Sequence, residues 1–124
     1  MTLYAIFNRV NVRNNIDTSL FKMEVTSGES ENGYAPVILS PQDDATLIGK
    51  ITIPIYFNHH PVVGLRGFNA TRHQITHIFF ENAAYSKVKT IYLNCFSDMS
   101  TLIYFEWPEH LEKIENKAFY NTHL

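Results

Sequence analysis

The sequence predicts a β-rich solenoid of three repeats, with a small antiparallel β cap over its first coil. Three observations carry this. A seven-residue apolar pattern, read most clearly as Leu102-x-x-Phe105-x-Trp107-Pro108, occurs three times, starting at Ile48, Ile75 and Leu102, 27 residues apart. A second apolar pattern follows each copy, Val88-x-x-Ile91 and Leu111-x-x-Ile114 being the clearest. Residues 1–46 lack the repeat and alternate as strands do. A fixed period of this size marks stacked coils, each burying its apolar side on its neighbours.

In the first half of the repeat, Ile48, Ile51 and Ile53 occupy the places of Leu102, Phe105 and Trp107, with Ile75, Ile78 and Phe80 between. Period-two alternation makes each copy a strand with these residues inward. In the second half, Cys95-Phe96 and Ala118-Phe119 put a small residue before a Phe, while Val62-x-x-Leu65 is followed early by Phe68, after Gly67. The length variation falls between the halves, where a loop absorbs it.

The pattern I-x-x-I-x-I-P, followed by V-x-x-I-x-x-x-A-F, resembles the BspA-type leucine-rich repeat over residues 47–124. Glu81 stands where that family usually has proline, and the first repeat lacks the small residue before its Phe. The resemblance implies a leucine-rich-repeat solenoid of short strands with turns or short helical segments, used for binding on cell or virion surfaces. It implies no catalytic residues.

Ahead of the repeats, residues 2–12 alternate (Leu3, Ala5 and Phe7 against Tyr4 and Ile6), and Asn14-Asn15 is a turn signal. Phe21, Met23 and Val25 alternate with Lys22 and Glu24, a second strand with those three apolar residues on one side. A polar loop over 27–33 leads to a third strand over 34–39, and 40–46 is a linker. A solenoid end exposes apolar residues and strand edges, so residues 1–46 are read as the covering cap. The alternative is a separate mini-domain, which so short a segment supports poorly.

Composition narrows the function. A chain of 124 residues is one domain, or one domain with a cap, and its net charge of −2 gives no basic footprint for nucleic acid. No stretch is long enough to span a bilayer, so no membrane insertion is expected. The first residues place charge after a short apolar run, unlike a signal peptide. The compartment is left open, apart from the surface location that the resemblance implies.

No cofactor and no metal are expected. His73 and His77 have helical ligand spacing, but His73 precedes a strand and His77 lies within it, so the spacing does not bring them together, and His59-His60 has no acidic or cysteine partner nearby in sequence. Glu112 and Glu115 alternate with Lys113 and Lys117 as a solvated face does, and Cys95 takes a core position. No nucleophile motif, phosphate loop or triad spacing is present, so no catalytic residue is named. Asn69-Ala-Thr71 is a glycosylation sequon.

The candidate site is the outward face of the first-half strands. Alternation puts Lys50, His77 and Tyr104 in one column and Thr52, Phe79 and Glu106 in the next. Exposed aromatics among polar residues suit a protein or glycan ligand, although Phe79 could also pack beneath the cap or a loop. Trp107, at an inward position, is read as core. Phe119, Tyr120 and Leu124 lie near an end of the stack where self-association or an assembly partner would dock. Two functions follow: a binding or adhesion module, or a structural subunit of a virion or surface assembly.

Overall fold

The computed structural model describes residues 16–124. The strand expected over 2–12 and its turn at Asn14-Asn15 lie outside these residues. The chain is β-rich, almost without helix, and winds into stacked coils resembling a β-solenoid of about three turns. The expected short helical segments are turns, and the one helical piece among the described residues is a 3₁₀ turn, Thr18–Leu20. Asp17 opens it by accepting the Ser19 N–H at 3.0 Å.

Strands β1 (Phe21–Val25) and β2 (Val37–Pro41) form an antiparallel pair. The coils follow as β3 (Ile48–Ile53), β4 (Tyr56–Phe57), β5 (His60–Leu65), β6 (Gln74–Phe80), β7 (Thr90–Ile91), β8 (Tyr104–Phe105) and β9 (Lys113–Ile114). Each coil gives one strand to each of two sheets. One sheet runs β3-β6-β8, all parallel; the other runs β1-β2-β5-β7-β9, parallel from β2 onward. The short β4 folds back on β5 through Asn58 and His59, both at positive φ (49° and 71°), the backbone a two-residue hairpin needs.

The 27-residue period is the hydrogen-bond register of the first sheet. Ile51 pairs with Ile78 and Ile78 with Phe105, and equivalent residues stack inward. In the second sheet Leu65, Ile91 and Ile114 align likewise. The rings of Phe68, Phe96 and Phe119 form a ladder with centroids 5.2 and 5.3 Å apart. Phe68 joins it although it comes early in its repeat, because Gly67 before it takes a φ of +78°. Phe21 of β1 lies 6.2 Å from Phe68, so the antiparallel pair shares the core of the coils.

Carboxylates fasten coil to coil. Glu81 accepts the Ile55 N–H at 3.0 Å, Glu106 the Phe80 N–H at 2.8 Å and Glu115 the Leu93 N–H at 3.0 Å. Glu81 therefore has a backbone-binding task at the position where the resemblance expects proline.

The structure corrects four expectations. Ile48 points outward and is 67% exposed, while Leu47 takes the core place. The reason is plain alternation along β3: Ile48 lies three residues before Ile51 and so faces outward with Lys50 and Thr52. Ile75, at the same place in the next coil, stays inward because β6 carries one extra residue, Thr76, at the register shift opposite Gly49 and Lys50. Met23 and Val25 are exposed and only Phe21 of β1 is buried, because the strand runs clear of the core beyond Phe21. The third strand begins at Val37 rather than Tyr34, and it includes Ser40 and Pro41 of the expected linker. Tyr34 instead closes a two-residue turn with Glu31, through Asn32 and Gly33 at positive φ. Trp107, read as core, is 54% exposed. Its counterparts Ile53 and Phe80 are fully buried under the coil that follows each, and no described coil follows Trp107.

His73 ties the first coil to the second. Its buried ring accepts the Leu47 N–H on Nδ1 at 3.0 Å, which fixes the neutral tautomer with the proton on Nε2. Burial, and then the charge of Arg72, lowers its pKa below the ordinary 6.5. Protonation removes the acceptor. The stabilisation is therefore complete above about pH 6.5, the unfolded value, and is lost as pH falls through the lower folded value. His73→Asn, whose Oδ1 can take the place of Nδ1, should flatten this acid-side loss in urea denaturation followed across pH. An unchanged acid limb would show that His73 is not its source.

Candidate functional site

The sheet β3-β6-β8 presents its outward face as the columns expected. Lys50 pairs with His77 and His77 with Tyr104; Thr52 pairs with Phe79. Parallel pairing about 4.8 Å apart brings these side chains side by side. The rings of His77, Phe79 and Tyr104 form one cluster. Centroids lie 5.8 Å apart for His77–Phe79, 6.0 Å for His77–Tyr104 and 5.6 Å for Phe79–Tyr104, and the first pair is stacked at 17°. Tyr104 is 44% exposed and Phe79 and His77 are half-buried, and Phe79 packs against both rings. The imidazole Nδ1 lies 2.8 Å from the Thr76 hydroxyl, which orients the ring.

The two flanks of the patch differ. Lys50 is exposed beside Thr52 and can meet an incoming ligand. Glu106 already binds the backbone of Phe80, so its first task is structural. Alternation assigned Ile48 to the core and took no account of Ile103, yet both are exposed at this face, Ile103 donating its N–H to the Thr76 carbonyl at 2.9 Å.

The far end of the stack has a different character. Phe105, Trp107 and Phe119 cluster with centroids 4.7 to 5.5 Å apart. Phe119 is half-buried there; Tyr120 and Leu124 are exposed. Ile114 is 48% exposed, whereas Leu65 and Ile91 of the same column are fully buried. The expected contact at Phe119, Tyr120 and Leu124 thus adjoins a wider apolar surface that includes Trp107 and Ile114.

A groove of about 830 Å³ lies on the second sheet, a feature that sequence reasoning missed. Its lining comes from four separated segments, 29–36, 61–63, 87–89 and 109–112, and no local motif joins them. Within it Lys87 holds Glu31 at 3.0 Å. The Tyr56 hydroxyl and then Lys87 lower the Glu31 pKa, keeping it a carboxylate, while Glu31 raises the pKa of both.

Among the described residues no group of three His, Cys, Asp or Glu side chains is placed to hold a metal ion, and no helix is long and apolar enough to cross a membrane. Cys95 is fully buried and burial raises its pKa strongly, so its thiol stays protonated. No family model matches the chain, and no curated protein and no solved structure matches it either.

Proposed function

We propose that the chain is a non-enzymatic binding or adhesion module that offers the β3-β6-β8 face to a protein or glycan. In this reading residues 47–124 form a BspA-like leucine-rich-repeat array, residues 1–46 are its N-terminal β cap, and the module works at a cell or virion surface. The observation that carries the reading is the cluster of His77, Phe79 and Tyr104, three rings in contact on an outward face with Lys50 and Thr52 alongside. Rigid aromatic anchors within a polar surround concentrate binding energy in few residues.

Tyr104 is the anchor to remove. A screen of oligosaccharides and immobilised proteins would identify the ligand. Tyr104→Ala should then weaken binding about tenfold to thirtyfold, the effect of losing an anchor worth about 1.4–2 kcal/mol. A ligand held equally well by parent and variant would refute this face as the binding surface.

A second reading is favoured by the exposure of Trp107 and Ile114 at the end of otherwise buried columns. It makes the chain a structural subunit of a virion or surface assembly, such as a phage tail or fibre, docked through that end. Light scattering over a concentration series should then show self-association that Trp107→Ser reduces. A monomer at every concentration, with no assembly partner retained on that end, would contradict it.

A further inference from the structure

The groove on the second sheet has a definite layout. It begins at Glu29, Ser30 and Glu31 in the loop before β2, passes Pro61 and Val63 on β5 and Lys87 and Lys89 ahead of β7, and ends at Glu109, Leu111 and Glu112 ahead of β9. It therefore runs along the stacking direction, across four neighbouring strands. Three strand spacings make roughly 14 Å, the length of about four extended residues.

Its floor and rim differ chemically. Pro36 and Pro61 are buried and Val63 and Leu111 half-buried, which leaves an apolar strip at the bottom. Four carboxylates stand against two ammonium groups, with Glu31 and Lys87 already paired to each other. Glu29, Glu109 and Glu112 make no ion pair with a described residue and stand at the two ends. A net acidic rim repels phosphate and carboxylate ligands and attracts cations.

We propose that this groove binds an extended peptide segment that alternates basic with apolar side chains. The apolar residues meet Val63 and Leu111, and lysine or arginine side chains reach Glu29 at one end and Glu109 and Glu112 at the other. A segment of about four residues matches the groove's length, since an extended chain rises about 3.3 Å per residue. The groove is distinct from the aromatic face of the other sheet.

The test uses the whole chain and a fluorescein-labelled Lys-Leu-Lys-Leu peptide, with Glu-Leu-Glu-Leu as its charge-reversed control, followed by fluorescence anisotropy. The basic peptide should bind and the acidic one should not, and binding should fall at high salt. Glu109→Gln with Glu112→Gln should weaken it roughly fivefold to tenfold, the effect of two exposed charge contacts. Leu111→Ser should weaken it as well, and Tyr104→Ala should leave it unchanged. The proposal is overturned if neither peptide binds, if both bind alike, if the double variant binds as the parent does, or if Tyr104→Ala alone abolishes binding. Circular dichroism on each variant separates loss of binding from loss of fold.

Discussion

Phe96→Ala should cost the fold about 3–5 kcal/mol in urea denaturation, the range for deleting a buried aromatic ring. Phe96 is fully buried and sits where the three coils meet. Its ring stacks between Phe68 and Phe119, at 5.2 and 5.3 Å, and meets Phe105 edge-on at 5.5 Å. Such aromatic pairs contribute about 0.5–1.5 kcal/mol each beyond the area they bury. The cavity left by alanine cannot close easily, because the neighbouring rings are held by the stacking of their own coils. The flanking hydrogen bond from the Phe96 N–H to the Ala118 carbonyl, 2.7 Å, is backbone and survives the change. The loss is therefore one of packing, and Phe96→Leu should recover most of it. A cost near that of a surface change, below about 0.5 kcal/mol, would mean that the ladder is not core.

Ile78→Ala should cost about 2–5 kcal/mol. Ile78 is the middle of three aligned inward residues, paired with Ile51 on one side and Phe105 on the other, and it has no exposed surface. Removing it opens a void beneath two coils at once. Tyr104 offers the contrast, since it lies on the neighbouring strand one residue before Phe105 and faces out. Cross-strand aromatic pairs on an open face contribute about 0.2–1 kcal/mol, so Tyr104→Ala should stay within that range. Equal costs for the two changes would contradict the inward and outward assignment. Side by side, they also separate a binding defect from a folding defect in the ligand assay.

Much of this architecture was legible because stacking makes equal positions in successive coils meet. The period between Ile75 and Leu102 is a physical register, and it placed Lys50, His77 and Tyr104 in one column without any knowledge of the fold. The failures have local causes. Ile48 obeyed the period in sequence but not in space: alternation along β3 turns it out, and Ile75 at the same repeat position stays inward only because β6 carries the extra residue Thr76, which apolar periodicity does not encode. Trp107 obeyed it in both, yet no described coil covers it, so an inward position did not mean burial. Met23 and Val25 alternate as buried residues do, but alternation cannot say whether a layer lies opposite. The parallel pairing of β2 with β5 joins segments with no sequence likeness, and the groove is assembled from four such segments. Glu106 looked like a rim charge because nothing in its neighbours announces the Phe80 N–H that it accepts.

The claim on which the fold and the proposed binding face both rest is which side chains of the first sheet point out. Thiol accessibility measures it directly. Single cysteines at Leu47 and at Ile48 would be tested with a thiol-modifying reagent under native conditions, with the buried Cys95 as the unreactive reference in the same chain. Ile48→Cys should react as fast as a free thiol, and Leu47→Cys should be protected until the protein unfolds. The reverse order, a protected residue 48 and a reactive residue 47, would contradict it. The register of the sheet, and with it the position of the aromatic patch, would then have to be rebuilt.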